Sequence, residues 1–254
     1  MTEPLISVIM PAYNAERFIA EAIRSVQTQT YENWELLILD DGSMDRTCSI
    51  SEEFASQDHR IRLLRNEKNM GVARTRNRGF DLCRGELVAL LDADDTWRED
   101  KLTKQLDLLR RSGADLIYSS YAIVDPAGQK VRADYIVPEE ISFRELLKEN
   151  VVGCSAVLLR SELVEKNRFL PDYFHEDYVL WLQLLREGHR AAGCSEVLVN
   201  WRYVENSRSF DKKRAAKNRW QIYRRYLRLP LYRSLWAFGN YAIRSLRKYG
   251  SKAE

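Results

Sequence analysis

Short apolar runs alternate with helix-like patterns along the first half of the chain. The runs predict strands at residues 5–10, 34–39, 61–64, 87–91 and 115–123. Between them, apolar side chains recur at helical spacing and predict a helix after each of the first four strands. Strands that alternate with helices over short links are typical of an α/β fold. We therefore predict a mostly parallel central sheet with helices on both faces.

Turn-forming residues mark the predicted boundaries. Pro11 ends the first strand, because proline is excluded from the interior of a central strand. Asn14 is predicted to cap the first helix, and Ser43 or Asp45 the second. Gly113 follows the fourth helix, which is predicted near residues 99–111.

The second half of the chain is less regular. We predict a turn at residues 125–128, a short helix at 143–148, strands at 155–160 and 197–203, and a helix at 176–186. The predicted organisation is a body of residues 1–210, divided into a nucleotide-binding half (1–123) and an acceptor-binding half (124–210). Residues 211–254 form a separate helical segment.

Polar clusters follow three of the predicted strands, at residues 11–14, 40–43 and 92–95. Parallel strands end at the same edge of a sheet, so these clusters are expected to lie together. Ligands of open α/β sheets bind at that edge, near the point where strand order reverses. The pattern predicts a binding site there.

The carboxylates of Asp92, Asp94 and Asp95 follow the buried run 87–91. Residues two apart in extended chain project the same way, so Asp92 and Asp94 can share one target. Two adjacent carboxylates repel each other unless a cation lies between them, and Mg²⁺ or Mn²⁺ prefers such oxygen ligands. The alternative is an acidic turn that caps a helix beginning near Trp97.

Charge is distributed unevenly along the 254 residues. Residues 211–254 contain 13 Lys/Arg and 2 Asp/Glu, a net charge of +11, whereas residues 1–210 carry −8. The four cysteines form no C-x-x-C pair, which favours a reducing compartment over structural zinc. Without a signal peptide or an 18-residue apolar run, a cytosolic protein is expected.

Five motifs in order resemble the family 2 glycosyltransferases of GT-A fold. They are SVIMPAYNAERF at 7–18, LDDGSMDRT at 39–47, NMGVARTRNRG at 69–79, LLDADDTW at 90–97 and HEDYVLWLQLL at 175–185. An ordered set is far more specific than any one motif. The segments VVGCSAVLL and AAKNRWQIYRRY are similar to bacterial envelope-polysaccharide enzymes of teichuronic-acid type. The resemblance implies an inverting enzyme that moves a sugar from a nucleotide diphosphate to an acceptor hydroxyl.

The resemblance also implies roles for residues of the first four motifs. Pro11, Ala12 and Tyr13 would line the nucleoside pocket, Asp40 would accept from the uracil imide beside Asp41, and Arg76 would reach the base or phosphates. Asp92 would face the ribose or the metal, Ala93 would belong to the nucleotide-sugar site, and Asp94 with Asp92 would hold the metal. Tyr13 could stack on a base or pack on the helix, and one of Asp40 and Asp41 could serve only as a cap.

Catalysis is assigned by resemblance to the fifth motif. Asp177 is the candidate base and Glu176 the second choice, while Gly153, Cys154 and Trp181 are placed beside the acceptor. The alternative is that Glu176 and Asp177 are first-turn acids favoured by the helix dipole. Many family members carry a metal-completing histidine in an R-x-H-x-x-S segment, where this chain has Val204.

The basic C-terminal segment interleaves aromatic residues with arginines and lysines. This composition favours an interfacial helix or helix pair on an anionic membrane, and so a peripheral protein at the inner face of the cytoplasmic membrane. A helix docked on the body and a homodimer interface are alternatives. Nucleic-acid binding is not expected, because no recognised module accompanies the charge.

The sequence as a whole predicts a metal-dependent glycosyltransferase. The donor would be a UDP-sugar and the acceptor a saccharide or lipid-linked saccharide in envelope polysaccharide synthesis. A nucleotidyltransferase is a second hypothesis, but the segment PAYNAE lacks a glycine-rich phosphate loop. A third is a glycosyltransferase-like binding subunit without catalytic activity.

Overall fold

A computed structural model describes residues 3–203 and 212–250, and its strands form one eight-stranded sheet. The strands are β1 Ile6–Ala12, β2 Trp34–Asp40, β3 Ile61–Arg65, β4 Leu87–Leu90, β5 Thr96–Trp97, β6 Leu116–Val124, β7 Val157–Arg160 and β8 Ala191–Arg202. The helices are α1 Ile19–Gln27, α2 Thr47–Gln57, α3 Val72–Leu82, α4 Lys101–Ser112, α5 Phe143–Lys148, α6 Ser161–Lys166, α7 Glu176–Arg186, α8 Lys212–Gln221 and α9 Leu231–Gly250.

The strand order is β3-β2-β1-β4-β7-β6-β8-β5. β1 pairs in parallel with both β2 and β4, β2 with β3, and β6 with β8. Since β7 is antiparallel to both of its neighbours, β4 and β6, those two strands run the same way. Only β7 and the short β5 oppose the others, which confirms the predicted mostly parallel sheet. Strand order reverses between β1 and β4.

The two predicted halves of the body share this one sheet. β7 comes from the second half of the chain yet lies between β4 and β6 of the first half. A boundary at residue 123 therefore does not separate two sheets, and the division by ligand stays a prediction.

Both faces of the sheet are buried, as the continuous apolar runs predict. Alternate residues of β1 point to opposite sides: Ile9 joins one apolar cluster, and Val8 and Met10 join the other. Helices α1 and α4 cover the second cluster, whereas α3 and α7 cover the first. This packing holds the carboxyl ends of β1, β2 and β4 at fixed positions.

The prediction that Pro11 ends the first strand is wrong. Pro11 lies within β1 and pairs with Leu39 of β2. Backbone donors alternate sides along a strand, and the Ile6 N–H donates to Asn33, on the β2 side. The Pro11 nitrogen therefore faces β4, whose ladder with β1 ends at Leu90. No donor is needed at that position, so proline is tolerated.

The prediction that Asn14 caps the first helix is also wrong. That helix begins at Ile19, and Asn14 has a left-handed backbone with φ 48°. Its Oδ1 accepts from the Met44 N–H at 2.9 Å, while its own N–H donates to Ser43 Oγ at 2.9 Å. Asn14 thus joins the loops after β1 and β2. Arg46, rather than Ser43 or Asp45, is the N-cap of α2 and makes no side-chain cap hydrogen bond, although Asp45 just before it accepts from the Thr47 N–H at 2.9 Å.

Sequence patterns missed several short elements. The two-residue β5 and the six-residue α6 are too short to show a period, and the last strand, predicted at 197–203, extends back to Ala191. A register shift against β6, between Ser119 and Tyr121, interrupts the alternation along that strand. Its amino-terminal part therefore lacks the expected sequence pattern.

The basic C-terminal segment forms the two predicted helices, which are joined through a π-helical turn at Ile222–Tyr226. Ile222, Tyr223 and Ala237 are fully buried and belong to the apolar cluster that contains α7. The segment is therefore docked on the body, one of the three predicted alternatives. Within the described ranges, no helix combines the length and the apolar character that crossing a bilayer requires.

Candidate active site

The predicted polar clusters lie along one rim of the sheet, where β2, β1 and β4 end side by side. Asp40 ends β2, Tyr13 follows β1, and Asp92 follows β4 by two residues. Neighbouring strands are about 4.8 Å apart, so the three positions span roughly 10 Å. The expected convergence of these motifs is confirmed by the strand pairing.

Asp40 and Asp41 differ in what they bind. Both Asp41 oxygens are occupied: Oδ1 accepts from Asn66 and the Met70 N–H, and Oδ2 accepts from the Gly71 N–H at 2.9 Å. Asp41 therefore holds the loop that leads into α3. Asp40 accepts from the Ser43 N–H through Oδ2, whereas its buried Oδ1 lacks a partner among the described residues. This unpartnered oxygen is buried, and the Cys48 thiol lies beside Asp40.

The loop after β1 carries a solvent-exposed aromatic ring. Tyr13 is 51% exposed, so it does not pack beneath the helix as one alternative held. Pro11 and Ala12, by contrast, are buried in β1 and can offer only backbone to a ligand. The Ala15 N–H donates to Thr47 Oγ1 at 2.7 Å, which ties this loop to the start of α2.

Arg76 of the third motif contacts both the fourth and the fifth motif, and its partner in the fifth is 100 residues away along the chain. Its guanidinium donates to Glu176 Oε1 at 2.9 Å and to Asp92 Oδ1 at 2.5 Å, and it lies 5.3 Å from the Phe169 ring centre. The Arg76 side chain is only 4% exposed. Burial disfavours its charge, but the two carboxylates together hold the pKa of Arg76 well above its usual value.

The turn after β4 is held in place by hydrogen bonds with Ser155 and Arg202. Asp95 is 1% exposed and accepts from Ser155 Oγ at 2.5 Å and from the Arg202 N–H at 2.8 Å. Arg202 also donates from Nε to the Asp94 carbonyl at 2.8 Å. Asp95 thus orients the turn, and Ala93 is buried within it.

Asp94 is the carboxylate that the turn leaves unpaired. Among the described residues, no neighbouring side chain donates a hydrogen bond to it. Burial, together with the adjacent Asp92, raises the pKa of Asp94 to about 6. A cation shared with Asp92 would relieve this unfavourable charge.

The donor set suits a hard divalent ion, although the protein alone does not complete a metal site. Asp92 is 32% exposed and lends one oxygen to Arg76, while Asp94 stands beside it. No group of three His, Cys, Asp or Glu side chains within the described ranges is placed to hold a metal. Two carboxylates are the usual protein share of a Mg²⁺ or Mn²⁺ site that phosphate and water complete. Val204, at the position of the expected histidine, lies outside the described residues.

The fifth motif opens α7 at the same rim. Glu176 is the first residue of the helix and Asp177 the second, and both are in its first turn. Burial raises the pKa of Asp177, and the charges of Arg76 and Arg219 act against that rise. Arg219 comes from α8, where its guanidinium lies 3.7 Å from the ring centre of Tyr178. A carboxylate with a raised pKa is a better proton acceptor.

The residues predicted beside the acceptor separate into two groups. Cys154 lies in the cleft, since its charged neighbours are Arg76, Asp92, Asp177 and Glu176, and burial raises the pKa of its thiol. Gly153 precedes it and lies close to the Tyr121 ring. Trp181 is 1% exposed and packs edge-to-face on Phe169 in the core. Its burial leaves no surface for an acceptor, so the predicted acceptor contact is not supported for Trp181.

Two residues that hold the site carried no predicted role. Ser155 accepts from the Asp92 N–H and donates to Asp95, and Arg202 clamps the turn from β8. Arg202 is the arginine of the R-x-H-x-x-S segment, so a signal for it was present. Ser155 had none, because serine is common in any loop.

A cavity of about 860 Å³ lies away from this rim. Its lining includes Ala191 and Gly193 of β8 and Ala114 just before β6. These strands begin there, so the cavity is at the opposite, amino end of the sheet. None of the predicted site residues lines it, and the rim is the better candidate for catalysis.

Sequence comparisons agree with the motifs at the rim. The family model described as "Glycosyl transferase family 2" matches residues 7–167. The chain is 34% identical over 246 residues to TuaG of Bacillus subtilis, a glycosyltransferase named for teichuronic acid biosynthesis, covering 97% of this chain and 98% of the relative. It is also 34% identical to WfgD of Escherichia coli, named a UDP-Glc:α-D-GlcNAc-diphosphoundecaprenol β-1,3-glucosyltransferase, covering 98% and 96%.

Solved structures show the same fold at lower identity. The complex of S. aureus TarS residues 1–349 with UDP-GlcNAc aligns with a TM-score of 0.75 and 18% identity, over 96% of this chain and 74% of that one. A mannosyltransferase from Pyrobaculum calidifontis in complex with GDP-Man and Mn²⁺ aligns at 0.72 and 18%, over 99% and 77%. The motifs that meet at the rim, the family match and the near full-length relatives agree: the chain belongs to glycosyl transferase family 2.

Proposed function

We propose that the protein is an inverting, metal-dependent glycosyltransferase that moves a sugar from a UDP-sugar to an acceptor hydroxyl. The observation that carries the proposal is the Arg76 guanidinium, which joins Asp92 of the fourth motif to Glu176 of the fifth. This contact brings the candidate metal ligands and the candidate base to one cleft. A binding subunit would also need Asp92 and Glu176 to neutralise the buried Arg76, so the further carboxylates Asp94 and Asp177, which form no salt bridge with Arg76, are what favour an enzyme.

The donor's nucleoside would lie over the loop after β1. The exposed Tyr13 ring can stack on uracil, and Asp40, whose buried Oδ1 has no hydrogen-bond partner among the described residues, would accept its imide N–H. Pro11 and Ala12 would border the base through their backbone, and Asp92 and Ala93 would lie near the ribose. Because Arg76 is already engaged by two carboxylates, its proposed role is to position them rather than to contact the base.

Asp94 and Asp92 would hold Mn²⁺ or Mg²⁺ together with the donor diphosphate. The metal would supply Lewis-acid stabilisation of the charge that develops on the leaving UDP. Asp94 presents an unpaired carboxylate for this purpose, and Arg202 and Asp95 fix the backbone of its turn. The chain thus positions the ligands in advance.

Asp177 would act as the general base. The acceptor oxygen attacks the anomeric carbon from the face opposite UDP, so a new C–O bond forms as the bond to phosphate breaks. The hydroxyl proton passes to Asp177, whose raised pKa improves proton transfer. Glu176 is held by Arg76 at 2.9 Å and is less free to accept a proton.

The acceptor we propose is a saccharide, carried on a lipid in envelope polysaccharide assembly. TuaG is named for teichuronic acid synthesis, and WfgD is named for a diphosphoundecaprenol-linked acceptor. Gly153 and Cys154 would contact the acceptor in the cleft. The protein would then work in the cytoplasm, peripherally at the inner face of the membrane. No observation on the described residues supports the predicted homodimer.

Transfer assays on Asp94→Asn and Asp177→Asn test the catalytic assignment. We expect each variant to lose about 10²–10⁴-fold in transfer from UDP-glucose or UDP-GlcNAc to a GlcNAc-diphospholipid, because each removes a charge that acts in the transition state. Asp172→Asn, on an exposed carboxylate, is the matched control and should retain full activity. Circular dichroism must show intact folding for all three. Near-normal transfer by Asp177→Asn would rule out Asp177 as the base.

Thermal stabilisation tests the donor class separately. A UDP-sugar should raise the melting temperature in the presence of Mn²⁺ and much less in its absence, because the diphosphate completes the metal site. GDP-mannose is the comparison ligand. Greater stabilisation by GDP-mannose than by every UDP-sugar would contradict the proposed role of Asp40 and with it the uridine assignment.

A further inference from the structure

Helix α9 presents a second apolar face that the body does not cover. Nine large apolar side chains are exposed among the described residues, and five of them belong to α9. They are Leu231, Tyr232, Leu235, Trp236 and Ile243, with exposed fractions of 56%, 67%, 56%, 38% and 54%. Such clustering on one helix marks an interaction surface rather than scattered surface residues.

The five side chains share one side of the helix. At 100° per residue they fall within an arc of about 140°. Ser234 and Ala237 are fully buried on the opposite side, where α9 packs against α5 and α8. The helix therefore has one face satisfied by the body and another directed away from it.

The helix that carries the exposed face lies in a strongly basic segment. Residues 212–250 contain 12 Lys/Arg and no Asp/Glu. Arg224, Arg225 and Arg228 are exposed in the segment that leads into α9, and Arg233 is exposed on the helix itself. On the body side, Arg144 and Lys148 of α5 lie 5.2 and 5.5 Å from the Trp236 ring centre.

Two acidic residues neutralise part of this charge. Glu149, the residue after α5, lies 3.2 Å from Arg244, and Glu145 of α5 interacts with Lys148 and Arg244. Arg144 and Lys148 beside Trp236, and Arg233 at 5.8 Å from the Tyr232 ring centre, form a basic rim beside the apolar arc, so the surface combines exposed leucine, tyrosine and tryptophan with cations. That combination is typical of helices that lie in the interface of an anionic bilayer.

We propose that the outward face of α9 docks the protein on an anionic lipid bilayer, with its apolar side chains in the headgroup region and its basic rim on the phosphates. A second copy of the chain fits less well, because a two-fold contact through this face would place identical basic rims against each other. The proposal rests on the proposed function only in that a lipid-linked acceptor would be presented at the same surface.

Vesicle co-sedimentation of the full chain tests the proposal. We expect binding to vesicles of equimolar phosphatidylglycerol and phosphatidylcholine, and at least tenfold weaker binding to phosphatidylcholine alone. Raising the salt from about 0.1 M to about 0.5 M should weaken the binding, because it screens the basic rim. Equal binding to both vesicle types, or none to the anionic vesicles, would overturn the proposal.

The decisive variant is Leu231→Ser/Leu235→Ser, which should bind the anionic vesicles at least tenfold more weakly. Its matched control is Val131→Ser/Ile136→Ser, which removes two exposed apolar side chains from the body, 42% and 59% exposed, and should bind like the unmodified chain. Unchanged vesicle binding by the α9 variant, or a change in its sedimentation mass without a change in vesicle binding, would refute the membrane assignment.

Vesicle binding and catalysis are separable in this design. Asp177→Asn should bind vesicles normally, since Asp177 lies in the cleft and not on α9. The α9 variant should still be stabilised by a UDP-sugar with Mn²⁺. Failure of donor stabilisation with normal vesicle binding would count against the proposed function alone.

Discussion

Asp94 lies in a place that is unfavourable for a carboxylate. It is partly buried beside Asp92, and a hydrogen bond from its own backbone N–H and the charges of Arg202 and Arg76 only partly offset its charge. Such unfavourable electrostatics are common at a site that binds a ligand which the protein alone does not supply. The stability of the metal-free protein should therefore be limited by this residue.

Asp94→Asn should stabilise the metal-free protein near pH 7.5. The folded-state pKa of Asp94 is about 6, above its ordinary 3.8. A raised acid pKa means that the ionised form destabilises the fold above pH 6, and that this effect fades as the pH falls through 6. With about 1.4 kcal/mol per pKa unit, reduced by solvent screening, we expect a gain of roughly 1–2 kcal/mol, or a few degrees in melting temperature.

Melting curves in a metal chelator at pH 7.5 and pH 4.5 check this prediction. The advantage of Asp94→Asn should largely disappear at pH 4.5, and adding Mn²⁺ should raise the melting temperature of the unmodified protein but not that of Asp94→Asn. Asp172→Asn should match the unmodified protein throughout. A variant that is less stable at pH 7.5 would show that Asp94 makes a stabilising contact instead.

For single residues, the sequence predicts which side chains belong to the site better than it predicts which residues they contact. Adjacent acids after a buried strand identify Asp92 and Asp94 locally. By contrast, the pairing of Arg76 with Glu176, 100 residues away, depends on how α3 and α7 pack. The free oxygen of Asp40 and the occupied ones of Asp41 likewise follow from the loop at 66–71, which no pattern specifies. The burial of Trp181 is of the same kind, since an aromatic residue suits either a cleft or a core.

At the scale of elements, α3 connects the core to the site. Gly79 lies one turn after Arg76, and a Cβ added there would meet Ile9 Cγ2 at 2.6 Å and Leu39 Cδ1 at 3.1 Å. The glycine lets α3 approach β1 and β2 closely. That close packing determines the position from which Arg76 reaches Asp92 and Glu176.

Gly79→Ala should lower the free energy of unfolding by about 1–3 kcal/mol, because the methyl group overpacks the contact with Ile9. Transfer activity should also fall, since α3 must move outward with Arg76. Gly239→Ala in α9 is the matched control: its Cβ meets nothing within 4 Å, and better helix propensity should leave stability equal or up to about 1 kcal/mol higher. Urea unfolding measures both. Equal stability of the two variants would mean that α3 can shift without penalty.

Element types were predicted more reliably than their ends. Long apolar periods gave α7 at its observed bounds, Glu176–Arg186, because a buried helix with a glycine beyond it carries several signals at once. Loop residues such as Asn14 failed as caps because their side chains serve a neighbouring loop instead. The position of β7 between β4 and β6 was not predictable, since it depends on pairing between distant segments.

At the scale of the whole molecule, the C-terminal segment is part of the core rather than an independent tail. Ile222, Tyr223 and Leu227 fill the same apolar cluster as α5 and α7. The Tyr223 hydroxyl donates to the Leu147 carbonyl at 2.5 Å. Composition marks residues 211–254 as basic and distinct, but it does not reveal that a few apolar positions within them complete the body. The charge asymmetry therefore marks a basic surface of the protein and does not mark a segment that folds independently.

Tyr223→Ala should destabilise the whole protein, while Tyr232→Ala, nine residues later, should not. Tyr223 is fully buried, so truncation leaves a cavity and removes the shorter of two hydrogen bonds to the Leu147 carbonyl, and we expect a loss of about 3–5 kcal/mol. Tyr232 is 67% exposed, and its loss should change stability by less than about 0.5 kcal/mol. Urea unfolding followed by far-ultraviolet circular dichroism distinguishes the two outcomes. An unchanged unfolding midpoint for Tyr223→Ala would mean that the C-terminal segment is only loosely attached, and removing the segment should then spare the body. If the midpoint falls as expected, the body and α8–α9 unfold together. The catalytic rim then depends on both.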